Sequence, residues 1–190
     1  MSNSTLNKNL VIAALLMTGA TTLPALADRT VTSEEGSPNT RMAKKVALDA
    51  SDRQMLTKLA QGNQAEVDAA KLALEKSDSD AVKSFAQRMI DDHSKGLKEI
   101  HALAKDKEVK LPKEADKKHQ AALSELKKLS GPAFDQKYLA QAGHADHQAT
   151  LQLLKEIEKD ANDADLKMLA KKMEPVVQSH LRMVEDIKSK

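Results

Sequence analysis

The chain has no cysteine and no tryptophan, and its aromatics are one tyrosine and two phenylalanines. Without cysteine there is no disulfide scaffold, thiol nucleophile, thiolate metal site or lipid-modified cysteine at a cleavage point. So few aromatics exclude a base-stacking surface. Neither sign of charge prevails: 30 basic and 28 acidic residues are interspersed, which gives no reason to expect nucleic acid as a partner. No Ser stands in a Gly-x-Ser-x-Gly setting and there is no Gly-rich phosphate loop. The Ser-x-x-Lys pattern at Ser124 to Lys127 has only solvated-helix residues around it. No catalytic residue is assigned.

Long apolar runs are scarce as well. Leu10 to Met17 is uncharged, Lys8 is the only charge before Asp28, and Ala25-Leu26-Ala27 follows as a small-x-small pattern. The run has the length of a signal-peptide core, is followed by Gly19 and Pro24, and falls short of the roughly 20 residues of a spanning helix. Residues 1–27 therefore read as a signal peptide cleaved after Ala27, with the mature chain in the periplasm or secreted. That chain would carry 29 basic against 28 acidic residues, net +1, and no membrane span. Residues 28–48 mix Thr, Ser, Glu, Gly, Pro and Lys without period and read as a flexible arm. Residues 49–190 read as one domain.

From Asp49 onward the apolar period is helical. A helix over 51–76, with Ser51 and Gln54 as a capping box, carries the stripe Asp52, Leu56, Leu59, Asn63, Glu66, Ala70, Ala73. Ser77-Asp78-Ser79 turns the chain into a second helix, to about 105, with Val82, Ala86, Met89, His93, Gly96, Ile100 and Leu103 on its stripe. A short helix over 114–129 ends at Ser130-Gly131-Pro132. The next, about 133–160, has two apolar flanks: Phe134, Tyr138, Ala142, Ala145 and Ala149 on one, Gly143, His147, Thr150, Leu151, Leu154 and Ala161 on the other. Periodicity does not choose between them. The last helix, about 163–188, carries Leu166, Leu169, Met173, Val176, His180, Met183 and Ile187, with Pro175 inside it as an expected local kink. The runs Lys113 to Lys118 and Glu156 to Asp160 read as solvated faces. The expected fold is all-α: an up-down-up-down four-helix bundle with one extra short helix between the second and third long helices.

Polar residues interrupt the buried stripes at one level. Counted from the turns near 77 and 162, Glu66, Asn63, His93, His147 and His180 fall within roughly 11 Å along the bundle axis at about 1.5 Å per residue. Three imidazoles and a carboxylate suit a divalent transition metal, so Glu66, His93, His147 and His180 form a candidate site for Zn, Fe, Mn or Ni. Met89 with His93, and His180 with Met183, share helix faces and would suit Cu(I), although Met at such positions ordinarily fills core. His144 and His147, at i and i+3, offer a surface pair. His101 and His119 look exposed. The competing reading is a set of hydrogen-bonded core histidines without metal.

Several stretches carry a family resemblance: Asn63-Gln64-Ala65-Glu66-Val67, Phe85 through His93, Leu111-Pro112, Leu129 through Asp135 with Tyr138, and Pro175 with His180-Leu181. Residues from about 49 to 187 resemble the bacterial family called domain of unknown function 4142. The resemblance implies export and a ferritin-like helical bundle. It does not bring a di-iron centre, which needs Glu-x-x-His on two helices; Ile90 and Val177 occupy the i−3 positions here. The expectation is an exported, non-catalytic bundle that binds a metal or a protein partner through a His-lined core and acts in envelope stress tolerance. The alternatives are a structural or interaction module and a metal-dependent oxidase or hydrolase.

Overall fold

The carboxylate of Asp49 accepts the backbone N–H of Asp52 at 2.8 Å and starts the first helix, in place of the expected Ser51 cap. In this computed structural model, which describes residues 47–189, that helix is α1, Ala50–Lys76. Ser79 caps α2, Asp80–Asp106. Asp116 caps the short α3, Lys117–Lys127, through the N–H groups of Lys118 and His119. The third long rod is α4, Gly131–Ala140, a π-helical turn, Gln141–Ala145, and α5, Asp146–Asp160. Asp163 caps α6, Ala164–Lys188. Among the described residues there is no strand, and no helix is long and apolar enough to cross a membrane. The expected signal peptide and most of the expected arm lie outside the described residues; Leu48, at the arm's end, is already buried.

Short turns make α1–α2 and α5–α6 into hairpins, and the hairpins meet where α2 packs on α6 and α1 on α5. Asp52 ties them at one end. Its buried carboxylate accepts the N–H groups of Asn162 and Asp163, at 2.8 Å for the latter. These are orphan donors at the start of α6.

The α1 stripe is buried as expected, from Asp52 to Ala73. The α6 stripe is turned from the expected one: Val177 and Val184 are buried, while Val176 is exposed. The third rod resolves its two flanks. Its buried residues run Phe134, Tyr138, Ala142, then His147, Leu154 and Ala161, while Ala145 and Ala149 are exposed. The step of five from Ala142 to His147 is the extra residue of the π turn. The two flanks are one face in two phases.

The core is in two apolar parts. Leu56, Leu59, Ile100, Leu154, Leu166 and Val177 belong to one. Phe85, Met89, Phe134, Tyr138 and Val184 belong to the other. On each long rod the polar residue stands between them in sequence: Asn63 and Glu66, His93, His147, His180.

Candidate metal centre

The rings of His93, His147 and His180 are 4 %, 1 % and 0 % exposed, and one ligand nitrogen from each lies within 4.8 Å of the other two. His93 Nε2 is 3.3 Å from His147 Nε2, and His147 Nε2 is 3.1 Å from His180 Nδ1. Three helices that are distant in sequence bring these nitrogens together.

The outward nitrogens fix the tautomers. A backbone carbonyl only accepts. The Leu59 carbonyl therefore takes the Asn63 amide N–H at 2.8 Å, which leaves Asn63 Oδ1 to accept from His93 Nδ1 at 2.9 Å. The Ala142 carbonyl accepts from His147 Nδ1 at 2.7 Å. The Asp92 carboxylate accepts from His180 Nε2 at 3.0 Å and also from Arg88. A neutral imidazole has one N–H. Each ring gives it outward, so the three inward nitrogens present lone pairs to one another.

A proton between them would relieve that repulsion, but the surroundings oppose it. Burial, then the neighbouring His147 and His180, holds His93 well below the usual imidazole range. Burial and His180 lower His147 to about 4. Burial lowers His180 against the pull of Asp92. At neutral pH the trio is uncharged and has no shared hydrogen. Ligand nitrogens about 2.0–2.1 Å from a tetrahedral zinc stand roughly 3.3–3.4 Å apart, close to the two spacings through His147, while the His93 and His180 nitrogens lie within 4.8 Å of each other.

Close approach at two glycines shapes this layer. A Cβ on Gly96 would stand 2.9 Å from Asn63 Oδ1, and one on Gly143 would stand 2.8 Å from Val184 Cγ2. The first lets α2 come near enough for Asn63 to hold His93. The second seats the π turn against α6.

Glu66 is buried in the same layer but stands behind His147. Its Oε1 is 3.6 Å from His147 Nδ1, the outward nitrogen. Its Oε2 and the hydroxyl of Tyr138 are buried with no hydrogen-bond partner. Burial, with Asp146 adding to it, pushes the Glu66 carboxyl well above the usual range. Met89 packs in the apolar core and Met183 against it. His144 faces Glu185 at 3.3 Å, away from the centre that takes His147. His101 is exposed, whereas His119, expected at the surface, is half-buried with Nδ1 2.6 Å from Asp116.

Sequence reasoning placed Asn63 in the layer but did not find the other two outer partners. Asp92, four residues after Arg88 and next to His93, carried the signal of an i, i+4 pair. The Ala142 carbonyl had no side-chain signal of its own.

A model of the family described as Domain of unknown function (DUF4142) matches residues 37–187. No curated protein matches the chain. Among solved structures, a DUF305 fragment from Deinococcus radiodurans aligns with a TM-score of 0.66 at 16% identity, over 75% of this chain and 97% of that one. At that identity the likeness is one of fold alone.

Proposed function

This chain belongs to the DUF4142 family, a membership that brings no activity with it, and we propose that His93, His147 and His180 bind one divalent transition metal ion. The observation that carries this reading is the outward donation of all three ring N–H groups. Second-shell oxygens commonly orient metal-binding imidazoles in this way. Three neutral imidazoles suit Zn, Fe or Ni better than a hard cation. Glu66, expected as a ligand, is left in the outer shell on this reading.

The wider setting is also part of the proposal. The Lys8, Leu10–Met17 and Ala25-Leu26-Ala27 pattern supports export, with the mature chain starting at Asp28. Hairpins at 77–79 and 161–163 support an up-down-up-down bundle. A metal-holding protein of the cell envelope, acting in stress tolerance, fits these features. A second reading, a metal-dependent hydrolase or oxidase, draws support from the ligand count, because catalytic zinc sites keep three protein ligands and an open fourth position.

The test is equilibrium dialysis of metal-free full-length chain against Zn²⁺, Fe²⁺, Ni²⁺ and Mn²⁺ in turn. One ion per chain is expected for at least one of them, and none for His180→Leu. In the absence of metal His180→Leu should keep its stability, since Asp92 can turn to solvent. Absence of stoichiometric binding, with His180→Leu strongly destabilised, would favour a purely structural histidine network.

A further inference from the structure

Two cavities approach the shell around the three histidines. One, of about 90 Å³, lies between α2 and α6 and reaches His93 and Asn63; its charged walls are Asp92 and Glu99 balanced by Lys95 and Lys172. The other, of about 20 Å³, has Glu66, His119, Gln141 and Asp146 as polar walls. That is room for one water. It shares Ala65, His119 and Leu123 with a surface hollow of about 170 Å³ that adds Asp68 and Glu114.

Carboxyl groups line this second passage from mouth to inner end, with His119 between them. Glu114 and Asp68 stand at the mouth. His119 stands between the two hollows, its Nδ1 2.6 Å from Asp116 and its Nε2 3.9 Å from Asp146. Glu66 closes the inner end; burial raises the Asp146 carboxyl, against the pull of His119 and then Lys118.

Glu66 separates this passage from an ordinary acidic surface. It is 4 % exposed and its Oε2 has no partner. A buried polar group left unpaired costs about 1–3 kcal/mol, so the position calls for something that visits it. Its neighbour is His147, which presents Nδ1 to Glu66 and Nε2 to the centre.

We propose that the passage from Glu114 and Asp68, past His119 and Asp146, to Glu66 is the route by which a divalent cation reaches the three-histidine centre. The inference rests on the metal-binding reading above. Asp68 and Glu114 at the mouth attract cations, and at the inner end a divalent cation takes the Glu66 oxygens by displacing the proton that burial favours there; the α2–α6 cavity has balanced charges at its walls. His119 is the plug between the hollows.

The experiment mixes Co²⁺ with metal-free full-length protein in a stopped-flow spectrometer and follows the visible absorption of the bound ion. The wild type is compared with Glu66→Gln, Asp146→Asn and, on the other cavity, Lys172→Gln. The two acidic-route variants should load at least about tenfold more slowly, and for Asp146→Asn the equilibrium affinity should stay within about threefold of wild type because release slows equally. Lys172→Gln should load at the wild-type rate. Acidic-route variants loading at the wild-type rate would overturn the route, as would faster loading of Lys172→Gln. Loss of equilibrium affinity in Glu66→Gln matching its loss of rate would make Glu66 a ligand and overturn it too. A wild type that takes up no Co²⁺ removes the metal reading itself, and that failure is visible without any variant. If Glu66→Gln does not fold, Asp146→Asn, at a half-buried position, decides the question.

Discussion

His147 donates its Nδ1–H to the carbonyl of Ala142, five residues earlier, at 2.7 Å. A step of five belongs to the π-helical turn Gln141–Ala145 rather than to an α-helix. The turn thus does two things. It re-aims α5 so that His147 follows Ala142 on the buried face, and it supplies the acceptor that turns Nε2 of the ring inward.

Deleting Ala145, an exposed residue of that turn, should therefore convert the step of five from Ala142 to His147 into the step of four of an α-helix, which lies on the same face. His147 would stay at the centre. The expected result is near-native helix content by circular dichroism with stoichiometric metal binding retained. Loss of binding would show that the acceptor geometry of the π turn itself, and not only the face it preserves, positions the ligand.

Gly96→Ala tests the other second-shell contact. Its methyl would meet Asn63 Oδ1 at 2.9 Å and Met173 Cε at 3.2 Å. The methionine can yield, but the amide is pinned by the Leu59 carbonyl. Urea unfolding should show a loss of about 1–3 kcal/mol, in the range for overpacked cores. Metal affinity should fall with it, because His93 loses its orienting acceptor.

The histidines also set a pH dependence. All three are held below the usual imidazole range in the folded chain, whereas unfolded imidazoles titrate near 6.5. The unfolded state therefore takes up protons first as pH falls. Stability is present above pH 6.5 and is lost as pH drops toward 4. For His147 alone, a fall from 6.5 to about 4 corresponds to about 3 kcal/mol. Urea unfolding of metal-free protein at steps between pH 7.5 and 4.5 should show the decline, and His147→Leu should flatten it.

Much of this was legible in the residues. The α1 stripe from Asp52 to Ala73 and the shared level of His93, His147 and His180 follow from helical periodicity and short turns. The π turn was visible only as an ambiguity, two apolar flanks on one helix, because a single extra residue shifts the phase by about 100° without leaving a composition signal. The side of His147 on which Glu66 stands was not legible for a related reason. Periodicity puts it in the layer, but the direction of a carboxylate relative to a ring depends on side-chain torsions. Val177 in place of Val176 on α6 is a neighbouring-residue choice that two adjacent valines cannot settle by pattern.

Crystals of the protein grown with Zn²⁺ and measured across the zinc absorption edge give the most direct reading of the centre. An anomalous peak is expected about 2.0–2.1 Å from His93 Nε2, His147 Nε2 and His180 Nδ1 together. A map with no peak there, or with zinc on the outward nitrogens or surface histidines alone, would contradict the assignment of those three lone pairs to a metal.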